Sequence, residues 1–138
     1  MITKNIIAIG GGGFGRSLGN LLIEKYIVSV SNKKFPKVCF IPTASGDNDL
    51  YKLNFYRAFS KLRCINTHID FFSRTEDLEK VILNQDIIYV GGGNTKSMIA
   101  VWKDWNLDEI LRNAYNSGIV MSGVSAGAIC WFERGVTD

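Results

Sequence analysis

Ile119-Val120-Met121-Ser122-Gly123-Val124-Ser125-Ala126-Gly127-Ala128 runs from an apolar stretch into a serine flanked by small residues. Gly123-Val124-Ser125-Ala126-Gly127 fits G-x-S-x-G, with an apolar strand predicted before it over Ile119–Met121 and a short apolar helix after it over Ala126–Phe132. A strand-to-helix turn this tight leaves room only for small neighbours and stands its central side chain at the sheet's edge. The serine also falls at a helix N-terminus, where free N–H groups favour developing negative charge. A plain glycine-rich turn is the competing interpretation.

Working outward, four further apolar runs share the Ile/Val-rich character of the first: Ile6–Ile9, Val38–Ile41, Ile65–Phe72 and Ile87–Val90. All but Ile65–Phe72 are continuously apolar, as strands covered on both faces are. Ile65–Phe72 alternates, with Asn66, His68 and Asp70 on one side, and is predicted nearer a sheet edge. Helical patterns lie between. Phe14, Leu18, Leu21 and Leu22 form one stripe, and Leu50, Leu53, Tyr56 and Phe59 a broader one. Ser73-Arg74-Thr75-Glu76 has the form of a capping box before Leu78, Val81 and Ile82. Lys96–Val101 follows a cap at Asn94 or Thr95. Leu107, Ile110, Leu111, Ala114 and Tyr115 form the cleanest stripe, with Gly118 placed to stop it. Strand alternating with helix predicts an α/β fold, a mainly parallel central sheet flanked by helices, in a single domain over 1–138.

Ligands of such sheets gather beyond the carboxyl ends of the strands. Three of those ends, Gly10–Gly15, Gly91–Gly93 and Gly123–Gly127, hold ten of the fourteen glycines, which suits close backbone approach to something small. A fourth is Pro42-Thr43-Ala44-Ser45-Gly46-Asp47. The Gly91-Gly92-Gly93-Asn94 loop is a candidate source of N–H donors to a tetrahedral oxyanion at Ser125. Gly10-x-Gly12-x-x-Gly15 matches the dinucleotide fingerprint, but Ile27–Pro36 contains no acidic residue where the fingerprint requires one. A loop bordering the same cleft is favoured, a small nucleotide-binding module being the alternative, and no cofactor is expected.

Composition narrows the classes. Of 138 residues, 46% are hydrophobic and 21% charged, which excludes disorder and low complexity. A net charge of +3 is too small to argue for nucleic acid, and the basic cluster Asn32–Lys37 suits a solvated connection. Cys39, Cys64 and Cys130 lack metal-ligand spacing, so no metal is expected. Their odd number, with no secretory signal, predicts a cytoplasmic location. No apolar stretch approaches the ~20 residues of a membrane span. His68, the only histidine, falls inside a predicted strand and is expected to be a polar residue on its wetter face. Cys130 and the tryptophans are expected to pack, with Trp131 near enough to line a pocket.

Taken together, Ile41-Pro42-Thr43-Ala44, Gly91-Gly92-Gly93-Asn94-Thr95 and Gly123-Val124-Ser125-Ala126-Gly127-Ala128 resemble the dipeptidase E-like serine peptidases. The tail Ile129–Glu133 and Gly135–Asp138 is most similar to the uncharacterised bacterial branch. The resemblance implies a class I glutamine amidotransferase-like fold with flavodoxin-like layering. It implies Ser125 as nucleophile, and oxyanion and substrate contacts from Gly91, Gly92, Gly93, Asn94 and Ala126. Amidotransferases of that fold carry cysteine at the turn, so serine favours the peptidase side. It also implies a catalytic histidine and an acid downstream of the serine, yet residues 126–138 contain no histidine. The expectation is therefore a serine peptidase lacking the C-terminal part of its fold, with the serine's base missing from these residues, and a catalytically inactive relic is the alternative. Its partner would be a small peptide, with a homodimer as the open assembly state and neither nucleic acid nor membrane involved.

Overall fold

A computed structural model describes residues 1–137, so Asp138 of the tail motif lies outside the described residues. Five strands form one sheet: β1 (Ile6–Ile9), β2 (Lys37–Ile41), β3 (Ile65–His68), β4 (Ile87–Val90) and β5 (Val120–Val124). Their order is β1-β5-β4-β2-β3 and every pairing is parallel. The helices are α1 (Leu22–Val30), α2 (Asp49–Phe59), α3 (Leu78–Leu83), α4 (Thr95–Asp104), α5 (Leu107–Asn116) and α6 (Ala126–Ile129), with a 3₁₀ turn at Thr43–Ser45.

Both faces of the sheet are covered, which is why its strands read as continuous apolar runs. Alternate residues of each strand feed opposite cores. Cys39, Ile41, Ile88, Val90 and Met121 pack with Leu78, Ile82, Met98, Trp102, Leu107 and Leu111 on the α3–α5 side. Val38, Phe40, Ile87, Tyr89 and Val120 pack with Ile27, Phe55 and Phe59 on the α1–α2 side. The second core is aromatic: Phe14 lies 5.0 Å from Tyr89 and 5.4 Å from Phe40, ring centre to ring centre.

Several expected boundaries move, each for a local reason. The stripe beginning at Phe14 does not form a helix until Leu22. Gly12 and Gly13 hold positive φ, and the Ser17 hydroxyl accepts the Gly19 amide at 3.1 Å, a side-chain turn that competes with helix. Phe14 is nevertheless buried, carried into the core by the loop. β3 is an edge strand as expected but ends at His68, because the buried Asp47 carboxylate takes the amides of Phe71 (2.6 Å) and Phe72 (2.9 Å) off the ladder. The cap of α3 is Asp77, which accepts the Lys80 amide at 3.2 Å, rather than Ser73. On α2 the buried face is Phe55, Ala58 and Phe59, while Leu50 and Leu53 stay exposed. The predicted helix after Ser125 is shorter, ending at Ile129.

Phe14 ties an otherwise irregular loop to the aromatic core, so Phe14→Ala should cost about 3–5 kcal/mol in urea unfolding. The exposed Leu50→Ala should stay within about 0.5 kcal/mol. Equal losses would mean that the loop is not anchored through this ring.

Candidate active site

Ser125 follows β5 with φ 56° and ψ −112°. Among the described residues three other non-glycine residues have positive φ, namely Asn32, Asp47 and Asn106, and all belong to the types that tolerate it. Serine does not, so its backbone stores about 1–3 kcal/mol of strain. The surrounding glycines show what imposes it. A Cβ on Gly127 would lie 2.0 Å from the Val90 carbonyl oxygen, and one on Gly123 would lie 2.2 Å from the Gly127 carbonyl oxygen. Strand β4, strand β5 and helix α6 thus meet backbone to backbone, and the chain must reverse across Val124–Ala126. The Ser125 amide donates to the Ile9 carbonyl at 2.9 Å, while its side chain remains exposed.

Gly92 abuts this serine: a Cβ there would lie 3.4 Å from Ser125 Cβ and 3.9 Å from its Oγ. Gly93, at φ 143°, passes so close to Ala44 that a Cβ would meet its carbonyl oxygen at 2.2 Å. The amides of Gly93 and Ala126 have no hydrogen-bond partner among the described residues. Three expected donors are engaged elsewhere. The Gly91 amide donates to the Ile41 carbonyl (3.1 Å), extending the β2–β4 ladder, and the Asn94 amide to the Ala44 carbonyl (2.8 Å) of the 3₁₀ turn. The Asn94 side chain caps α4, accepting the Ser97 amide at 2.8 Å. The Gly92 amide donates to the Tyr51 hydroxyl at 3.2 Å.

Of these groups Ser125, Gly92, Gly93 and Tyr51 line a cleft of about 380 Å³, whereas Gly91, Asn94 and Ala126 lie behind its wall. Gly10, Gly11, Gly12, Gly15 and Arg16 come from the loop after β1, Asn48, Leu50, Tyr51 and Asn54 from the start of α2, and Gly92, Gly93 and Ser125 from the ends of β4 and β5. The Gly10–Gly15 loop therefore borders the same cleft as Ser125. Arg16, Asn48, Tyr51 and Asn54 were not among the expected site residues. Arg16 directly follows the glycine run after β1, and the position of α2 after β2, a strand whose end also faces the crevice, is the signal for the other three. A larger hollow of about 580 Å³ lies at the amino ends of the strands, away from the positions where such sheets bind ligands.

The sequence matches peptidase family S51 across residues 6–138. The chain belongs to that family. It is 50% identical over 136 residues to the uncharacterized peptidase YgaJ of Bacillus subtilis (strain 168), a match covering 98% of this chain and 59% of that protein. Its fold is similar to that of a crystal structure from Listeria monocytogenes EGD-e assigned to peptidase E, with TM-score 0.71 and 22% identity over 91% of this chain and 60% of that one. A peptidase from an acI-B1 Actinobacterium aligns with TM-score 0.74 and 20% identity, over 91% of this chain and 56% of that one. This S51 chain thus spans about three-fifths of the length of the proteins it matches.

His68 of the S51 chain stands on β3, and three strand spacings, roughly 14 Å, separate β3 from β5. Its two ring nitrogens face Tyr56 Oη (2.6 Å) and Asp70 Oδ2 (3.2 Å), so it belongs to an edge network and not to the cleft. Lys52 completes that network at 2.9 Å from Asp70 Oδ1. Burial alone would raise the Asp70 carboxyl, but the Lys52 hydrogen bond and the charges of His68 and Lys52 outweigh it and leave its pKa below the ordinary value. Burial likewise pushes the Cys130 thiol up to about 12 and the Cys64 thiol up to about 11, so neither offers a thiolate at neutral pH. Trp131 packs against Trp102 at 6.4 Å, on the face of the sheet that carries α3, α4 and α5.

Two outcomes follow from this geometry. Ser125→Gly should relieve the strained turn and gain up to about 1 kcal/mol in urea unfolding, after allowance for the entropy of glycine. A loss of stability would show that the serine backbone is not strained. Because the Asp70 pKa is depressed in the folded state, its stabilising contribution is present above about pH 4, the unfolded value, and disappears as pH falls through the lower folded value. Asp70→Asn should therefore be less stable at pH 7 and show a flatter acid limb in Tm against pH. An unchanged limb would mean that the network does not stabilise the carboxylate.

Proposed function

We propose that this S51 chain carries the nucleophile of a serine peptidase acting on small peptides, with Ser125 Oγ attacking the carbonyl carbon of the scissile bond. As the C–O bond forms, the Ser125 proton passes to a general base and the carbonyl oxygen becomes an oxyanion. Collapse of that intermediate breaks the C–N bond, and the amine leaves with the proton returned by the base. Water then hydrolyses the acyl ester on Ser125.

The observation that carries this proposal is the Ser125 backbone at φ 56° and ψ −112°, which holds an exposed hydroxyl at a glycine-lined cleft. Nothing in packing requires serine there, since glycine would satisfy the same turn without strain. The unpartnered amides of Ala126 and Gly93 supply donors for the oxyanion, and one such donor contributes about 10²–10³ in rate. Gly92 sits close enough to form the wall of the hole. His68 stands three strands from β5 and is held in the edge network with Tyr56 and Asp70, so this reading does not use it as the base. Membership of a peptidase family supports the reaction class. Three free cysteines suit a reducing, cytoplasmic setting.

A fluorophosphonate reagent should label the full-length protein at a single serine, and Ser125→Ala should abolish the labelling while leaving Tm within a few degrees. Labelling that persists in the Ser125→Ala protein would remove this serine from the role.

A further inference from the structure

Tyr51 joins the aromatic core to the cleft. Asn48 caps α2 by accepting the Tyr51 amide at 2.9 Å, which fixes the residue in the first turn of the helix at the cleft mouth. Its ring lies 5.0 Å from that of Phe40, edge to face, and 5.5 Å from that of Phe14. Two glycines make space for it: a Cβ on Gly15 or on Gly91 would come within 2.8 Å of the ring. The ring is thus clamped between the loop after β1 and the end of β4.

The hydroxyl accepts the Gly92 amide at 3.2 Å. A phenol that accepts one hydrogen bond keeps its own hydrogen to donate, and that hydrogen has no acceptor among the described residues. Burial raises the phenol above its ordinary pKa, against a smaller opposing pull from the Gly92 amide, so it stays protonated at neutral pH. If the hydroxyl were only a placeholder for the substrate oxygen, the ring would have to withdraw when substrate binds. The clamp prevents that.

We propose that the Tyr51 hydroxyl, polarised by the Gly92 N–H, donates a hydrogen bond to the oxygen of the scissile carbonyl as it becomes an oxyanion. The Gly92 amide then acts through Tyr51, while the Ala126 and Gly93 amides act directly. No proton is transferred in this step, and the donated bond strengthens because its own oxygen accepts one. The inference rests on Ser125 as the nucleophile.

The test is the saturation kinetics of fluorophosphonate labelling in the full-length protein, comparing wild type, Tyr51→Phe and Ser125→Ala. Tyr51→Phe should lower the maximal labelling rate about 10²-fold, with the half-saturating concentration within about twofold and Tm nearly unchanged. Tyr51→Phe labelled at the wild-type rate or faster, with Ser125→Ala unlabelled, would overturn the role of Tyr51 and leave Ser125 in place. A wild-type protein that is not labelled, or a Ser125→Ala protein that still is, would instead remove the nucleophile and this inference with it. Should Tyr51→Phe fail to fold, a ring-fluorinated tyrosine at position 51 keeps the ring and the donor while lowering the phenol pKa. Labelling should then decline at alkaline pH relative to wild type, and an unchanged pH profile would overturn the proposal.

Discussion

The site depends on one steric constraint, the backbone contact between the end of β4 and the first turn of α6. With the Val90 carbonyl oxygen 2.0 Å from where a Gly127 Cβ would sit, only glycine fits, and the same holds for Gly123 against the Gly127 carbonyl. The chain therefore has three residues in which to leave the sheet and enter a helix. The middle one takes a backbone conformation that costs it free energy. Strand β5 bears that strain because it is paired on both sides, to β1 and β4, and because the buried Ser122 hydroxyl donates to the Ile88 carbonyl at 2.8 Å. Strain held at one polar residue, in a region otherwise regular, points to use of its side chain.

The glycines divide by physical role. Gly123, Gly127 and Gly93 permit backbone contact, Gly15 and Gly91 make a slot for an aromatic ring, and Gly12 and Gly13 supply positive φ. Gly10 and Gly11 face open space, consistent with their place on the cleft wall. A motif that matches a nucleotide fingerprint by spacing is, in three dimensions, the floor of a small cleft and the seat of Tyr51. The long non-helical passage from Gly15 to Leu21 also separates it from a helix N-terminus that could receive phosphate.

Much of the architecture was legible because burial on both faces writes itself into composition: Ile87–Val90 is uniformly apolar since Ile88 and Val90 serve one core and Ile87 and Tyr89 the other. The edge position of β3 was legible from Asn66 and His68. Boundaries were less so, because they are set by side chains distant in sequence. Asp47 ends β3 from 24 residues away, through the Phe71 amide. The α2 stripe misled because Leu50 and Leu53 face solvent, while Tyr51, next to Leu50, turns toward Gly92. Ser125 was legible through the small residues its turn demands. Asn48, Tyr51 and Asn54 were not, since they meet it only because β2 lies beside β4 in the sheet order, and Arg16 was not, since it lies one residue past the glycine run that marked its loop.

The most direct measurement is a crystal structure of the full-length protein after reaction with a fluorophosphonate. The expected result is phosphorus bonded to Ser125 Oγ, the positive-φ turn retained, and the phosphonyl oxygen about 2.7–3.1 Å from the Ala126 amide. Phosphorus on another residue, or a phosphonyl oxygen turned to solvent away from Ala126 and the Gly91–Gly93 loop, would contradict the account.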